Sequence, residues 1–133
     1  KSEAMMGYST LYGDTAGAFA PLGGLYKTDV YAVARWRNAQ AEAAGAVPPV
    51  PERVFAKPPS AELSPDQEDE KSMGIDYPLD ALLQAHVERD LGADALVAEG
   101  FDAAQVERVL STVRATAFKR ALEPPYPQAP FYA

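Results

Sequence analysis

Lys1-Ser2-Glu3-Ala4-Met5-Met6-Gly7-Tyr8-Ser9-Thr10-Leu11-Tyr12-Gly13-Asp14 opens the chain, and how it is read decides the fold. A carboxylate, hydroxyls and a Tyr-Gly-Asp turn recur there without the apolar spacing of an ordinary amphipathic helix. Residues 1–24 read as a short helical or irregular segment followed by a loop, in which Gly13, Gly17, Pro21, Gly23 and Gly24 permit tight turns near a ligand. Met5, Met6, Tyr8 and Tyr12 also suit plain apolar packing at the start of a domain.

Working outward, Tyr26, Val30 and Val33 recur at helical spacing with Tyr31, Ala34 and Trp36 beside them. This predicts a helix over 25–44 that ends near Gly45 and carries Lys27 in its first turn. Pro48, Pro49 and Pro51 break that period, and Arg53-Val54-Phe55-Ala56 has room for a short extended segment before Pro58 and Pro59. Over 60–74 the chain is polar, with Asp66, Glu68, Asp69 and Glu70 in close succession, which predicts a solvated, mobile loop. Asp76 or Tyr77 can cap the next helix, Pro78 suits its first turn, and Leu79, Leu82, Leu83, Val87 and Leu91 make one apolar face.

A shorter helix is expected over 93–99, stopped by Gly100. Asp102 with Gln105 forms a capping-box variant, and Val106, Val109, Leu110, Val113 and Ala117 supply the stripe of a longer helix reaching about Leu122. The tail 124–133, with Pro124, Pro125, Pro127 and Pro130, cannot be regular helix. By periodicity alone this is a mainly α-helical domain with at most one short strand.

The chain has 133 residues, 47% of them apolar, enough for one domain with a real core. No apolar run approaches the roughly 18 residues that span a bilayer, and the amino terminus has no charged-then-apolar signal sequence, so cytoplasm is expected. With no cysteine there is no disulfide, no thiolate zinc site and no thiol nucleophile here. A net charge of −7 argues against nucleic acid or an anionic membrane as partner, because both need clustered positive charge. Small anionic ligands remain compatible, since a few aimed cations, helix amino termini or a bridging metal act locally.

Together with Tyr26-Lys27-Thr28 and Lys57-Pro58-Pro59-Ser60-Ala61-Glu62-Leu63, the opening stretch resembles the C-terminal part of the synthetase domain of the NAD synthetase family, in its glutamine-dependent form. The resemblance covers 1–123 and is most specific through Leu63. It implies an α/β, adenine-nucleotide α-hydrolase-like (Rossmann-like) fold in the whole enzyme, this chain being a mainly α-helical C-terminal fragment. The implied reaction adenylates the nicotinate carboxylate of deamido-NAD with ATP, releases pyrophosphate, and lets ammonia derived from glutamine displace AMP to give NAD. No protein nucleophile is required. Positioning and charge neutralisation carry such a step, which explains a demand for carboxylate, cations and hydroxyls.

By the same resemblance Glu3 is the metal ligand, holding Mg²⁺ against ATP phosphates; hard oxygen donors are what that cation prefers. Lys27, Lys57 and Ser60 would meet the ATP phosphates, and Thr10, Asp14, Lys119 and Arg120 would line bound dinucleotide. ATP and Mg²⁺ are the implied cosubstrate and metal, with no prosthetic group. Residues 60–74 would be a mobile active-site cover that protects an acyl-adenylate from water. Each has a blander reading: Glu3 as an exposed helical acid, Asp14 as a brace for its turn, Lys119 and Arg120 as partners of a helix dipole, and the acidic run as solvated surface. His86 falls beside the Leu82, Leu83, Val87 face and reads as packing.

Two departures from the family pattern stand out. Ala18 lies near the position where ammonia-dependent relatives carry a substrate-contacting aspartate, and the ATP-gripping Ser-Gly-Gly-x-Asp-Ser loop is absent from this chain, as is any nitrilase-type glutaminase domain. The expectation is therefore a terminal piece of a larger homo-oligomeric synthetase, inactive alone, whose partners are those missing portions. The competing reading is a non-catalytic helical binding or assembly module. A complete small phosphate-handling enzyme is disfavoured, because 13–24 lacks a G-x-x-x-x-G-K pattern.

Overall fold

The computed structural model describes residues 1–13, 15–58, 60 and 79–127, and these are helical with no strand among them. The elements are α1 (Ser2–Met6), α2 (Lys27–Ala43), α3 (Glu52–Ala56), α4 (Leu79–Glu88), α5 (Ala93–Ala98), α6 (Ala103–Ala115) and α7 (Ala117–Arg120). Two compact units are present, Lys1–Lys27 with Tyr77–Ala133, and Thr28–Asp76. The expected cover over 60–74 lies outside the described residues apart from Ser60.

In the first unit α1 packs against α4, α6 and α7, while α5 bridges α4 and α6. Leu82, Leu83, Leu96, Val106 and Val109 are fully buried at the centre, with Met6, Leu79 and Leu110 around them. This is the face expected from the apolar spacing of α4 and α6, and its removal from water is the main stabilising term. Asp102 caps α6 as expected, its carboxylate accepting from the Gln105 N–H at 2.8 Å.

Glycine ends α1. Gly7 has φ 64°, the Tyr8 N–H donates to Glu3 O at 2.9 Å and the Gly7 N–H to Ala4 O at 3.2 Å, the paired bonds of a Schellman turn. A Cβ at this position would meet Thr116 Cβ at 2.3 Å, so both backbone angle and space require glycine.

Three expectations for the first unit are corrected. Leu91 is not on α4: the helix ends at Glu88, Asp90 turns the chain at φ 53°, and His86 Nδ1–H donates to Leu91 O at 2.8 Å. That bond accounts for the only histidine structurally. The long helix stops at Ala115 and α7 is separate, because Thr116 Oγ1 donates to Thr112 O at 2.8 Å and contacts Met5 O at 3.3 Å. A side chain competing for the i−4 carbonyl bends a helix there, and Ala117 consequently falls on the exposed side.

In the second unit α2 ends at the expected glycine: Ala46 N–H donates to Ala41 O at 2.8 Å and Gly45 N–H to Glu42 O at 2.9 Å. Asn38 then holds the following turn, bonding Val50 O at 2.7 Å and accepting from the Val50 N–H at 3.0 Å. Val33 and Trp36, whose spacing helped to predict this helix, are exposed. The segment expected to be extended is the short helix α3, begun after Pro51 at φ −61° and ψ 143°. With no described strand to pair with, an extended run would leave its N–H and C=O groups unpaired, whereas a helical turn satisfies them within itself. Its Phe55 packs on Tyr31, centroids 6.2 Å apart, and lies 4.4 Å beneath the Arg35 guanidinium.

No helix among the described residues is long and apolar enough to cross a membrane. The tail has no regular structure over 124–127, and Pro125 O accepts from the Ala20 N–H at 2.9 Å.

Candidate functional site

Glu3 lies in the first turn of α1, and Lys27 begins α2. Although 24 residues separate them, Lys27 Nζ donates to Glu3 Oε1 as an ion pair. The pair is accessible, with 45% of the Glu3 side chain and 23% of the Lys27 side chain exposed. Both residues are half-buried, so solvent screens the pair only in part. A carboxylate and an ammonium brought together at a solvated edge are better placed to exchange partners than to hold the fold.

The placement has a visible cause. Ser2, buried beside Glu3, accepts from the Lys27 N–H at 2.8 Å through Oγ and donates the same hydroxyl's proton to Asp80 Oδ1 at 2.5 Å. Close by, Lys1 Nζ and the Tyr26 hydroxyl both donate to Glu88 Oε1, at 2.5 and 2.7 Å. Burial pushes the Glu88 carboxyl up, but these two hydrogen bonds and the Lys1 charge outweigh it and hold the group below the usual carboxylate range.

A cleft of about 190 Å³ borders Glu3, its wall also including Tyr8, Ser9, Thr15, Glu123 and Tyr126. Ser9 Oγ is buried without a hydrogen-bond partner among the described residues, a state that costs free energy until a donor or acceptor arrives. Burial pushes the Glu123 carboxyl up, with the α-amino group and Arg120 opposing it in part.

Lys119 and Arg120 point at backbone. Lys119 Nζ donates to Gly7 O and Ser9 O, both at 2.7 Å, and Arg120 donates to Met5 O at 3.1 Å and Val113 O at 2.8 Å. These cations absorb the carbonyls left over at the end of α1 and fix the turn behind Glu3. Thr10 is exposed at the far side of that turn, where its carbonyl accepts from the Gly13 N–H at 3.0 Å. Asp14 lies outside the described residues. Lys57, exposed after α3, and Ser60, half-buried, belong to the second unit, so the structure unites Glu3 with Lys27 and describes those two separately.

Ser2, Asp80, Tyr26 and Glu88 escaped the sequence reading as site residues. Asp80 carries only the signal of an acid in a first helical turn, and nothing in the spacing of Ser2 and Asp80, 78 residues apart, marks them as partners.

A family model described as NAD synthase matches residues 1–123. The glutamine-dependent NAD(+) synthetase of Acinetobacter baylyi is 46% identical over 120 residues, covering 90% of this chain and 21% of that protein. The corresponding enzyme of Xanthomonas campestris is 42% identical over 128 residues, 96% of this chain and 22% of its own length. The NH(3)-dependent NAD(+) synthetase of Wolinella succinogenes is 38% identical over 125 residues, 93% of this chain and 44% of that protein. Among solved structures, the glutamine-dependent NAD+ synthetase of Acinetobacter baumannii in complex with ADP is 36% identical, with a TM-score of 0.38 and coverage of 97% of this chain and 21% of that one. The chain thus spans about a fifth of the length of its glutamine-dependent relatives.

Proposed function

The chain belongs to the NAD synthase family, and from that membership we propose that it supplies the C-terminal part of the synthetase domain of a glutamine-dependent NAD synthetase. The whole enzyme, on this reading an adenine-nucleotide α-hydrolase-like α/β protein, is a carbon–nitrogen ligase that adenylates deamido-NAD and amidates it with ammonia. Its ATP-gripping loop and glutaminase lie in portions beyond the fifth of the relatives' length represented here. The chain alone then has no useful turnover.

The observation that carries this reading is the half-buried Glu3–Lys27 ion pair, whose Glu3 stands on the wall of a cleft. Alone, the two groups neutralise one another. In contact with a metal-bound polyphosphate each has a stronger partner, Glu3 the cation and Lys27 a phosphate oxygen, and exchanging one pair for two charge-assisted contacts costs little. Glu3 fits Mg²⁺ as a lone protein ligand, because that ion commonly takes one or two carboxylates and completes its shell with phosphate and water. Mg²⁺ would supply charge neutralisation at the phosphates; the protein's part is to hold the carboxylate, with Lys27 as point charge and the Lys57 and Ser60 side chains as further phosphate contacts.

Ser9 Oγ supports a polar ligand in the adjoining cleft, since a dinucleotide hydroxyl or amide would satisfy it. Thr10 and Asp14 would bond the same ligand, while Lys119 and Arg120 act behind it by fixing the 5–9 backbone. Calorimetric titration with Mg·ATP tests the reading: heat of binding should be present in the parent chain and lost in Lys27→Ala. Equal binding by both would contradict it.

A further inference from the structure

We propose that Asp80 and Ser2 are positioning residues for the Glu3–Lys27 pair, acting as a relay that caps the amino end of α2 from outside that helix. The proposal deepens the phosphate-site reading and rests on it for its functional consequence, though not for its structural content.

The argument begins with one oxygen. A serine hydroxyl has a single proton and two lone pairs. Ser2 gives that proton to Asp80 Oδ1, which leaves a lone pair free to face the Lys27 N–H at 2.8 Å. Lys27 is the first residue of α2, so its N–H is among the orphan donors at a helix start. The side chain of the residue just before a helix usually accepts from its second or third N–H and leaves the first to another acceptor. That residue here is Tyr26, whose hydroxyl is committed to Glu88. The cap comes instead from Ser2, 25 residues earlier in sequence.

Asp80 fixes the direction of this bond. Were the hydroxyl free to rotate, it could present its proton to the Lys27 N–H and repel it; an acceptor at Oδ1 removes that choice. Ser2 is only 6% exposed and Asp80 5%, so water does not readily replace either partner. Ser2 and Glu3 are consecutive in α1. Holding the Lys27 backbone to Ser2 therefore places the lysine side chain within reach of the Glu3 carboxylate, where the ion pair is found. The bond from the Lys1 backbone nitrogen to Leu25 O, 2.8 Å, ties the same two segments one step further along.

The test is amide hydrogen exchange by NMR on the whole chain, with Lys27 as reporter and the fully buried Val109 as reference, combined with Mn·ATP broadening of the Lys27 signals. Ser2→Ala should speed Lys27 exchange about tenfold relative to Val109, the scale of one lost buried hydrogen bond. Asp80→Ala should do the same, and Ser2→Thr, which retains a hydroxyl, should restore protection. In Ser2→Ala the Mn·ATP broadening at Lys27 should weaken as well. Lys27 and Val109 rising together in both alanine variants, or Lys27 staying protected, would overturn the relay. Selective Lys27 deprotection with no Mn·ATP broadening even in the parent chain would uphold the relay and reject the phosphate site, so the two failures are distinguishable.

Discussion

Lys119 Nζ lies 2.7 Å from Gly7 O, and the same distance from Ser9 O, so the last helix grips the turn that follows Glu3 from 112 residues away in sequence. Hydrogen bonds from a charged donor to buried or half-buried acceptors are worth about 1.5–3 kcal/mol each at most. Lys119→Met, which keeps the aliphatic stem, should cost about 1.5–3 kcal/mol in urea unfolding. A variant as stable as the parent would show that the carbonyls are equally well served by water.

Gly7 and Gly45 both have positive φ, 64° and 70°, but a Cβ at Gly45 meets nothing within 4 Å whereas one at Gly7 strikes Thr116. Gly45→Ala should therefore lose only the left-handed backbone cost of about 1–2 kcal/mol. Gly7→Ala should lose more, because the end of α1 must also move off Thr116. Comparison of unfolding midpoints decides this, and equal losses would deny the close packing.

Glu88 gives the stability curve an acid limb. Its folded pKa is depressed, so its contribution is complete above the ordinary carboxylate range and is lost as pH falls through the lower folded value. Urea midpoints taken between about pH 5 and pH 3 should fall less steeply in Glu88→Gln than in the parent. Glu123 has the opposite sign: its folded pKa is raised, so its ionisation costs stability as pH rises from the ordinary carboxylate range through the folded value. Glu123→Gln should accordingly gain stability at neutral pH.

The isolated chain, supplied with ATP, deamido-NAD, magnesium and ammonia, should form no NAD in a steady-state assay. The Glu3–Lys27 pair can hold charge, but the fifth of the relatives' length it belongs to lacks the Ser-Gly-Gly-x-Asp-Ser loop that the family resemblance implies for gripping pyrophosphate. Robust synthesis would mean that the described cleft is a complete active site.

What the sequence made legible was whatever depends on near neighbours. The Leu82, Leu83 and Val106, Val109 faces, the Asp102 cap and the stops at Gly45 and Gly100 follow from spacing along one helix. The family was reachable because motif order and spacing carry a resemblance across distance, whereas the direct ion pair between Glu3 and Lys27 was not anticipated. The break at Thr116 was not, since it arises where a side chain meets both its own helix and Met5. Arg53–Ala56 misled for a related reason: β-propensity asks for a neighbouring strand, and none is present among the described residues. Lys119 and Arg120 carry the charge that suggests a ligand contact, and the structure adds bonds from both to backbone carbonyls far along the chain, which no spacing could show.

The most direct measurement is NMR line broadening by Mn·ATP on the full chain, which reports proximity even when binding is weak. The account predicts selective broadening of Glu3 and Lys27 signals, with Arg89 and Glu99, ion-paired at an exposed surface, unaffected. Broadening that is absent, uniform, or centred away from Glu3 and Lys27 would contradict it.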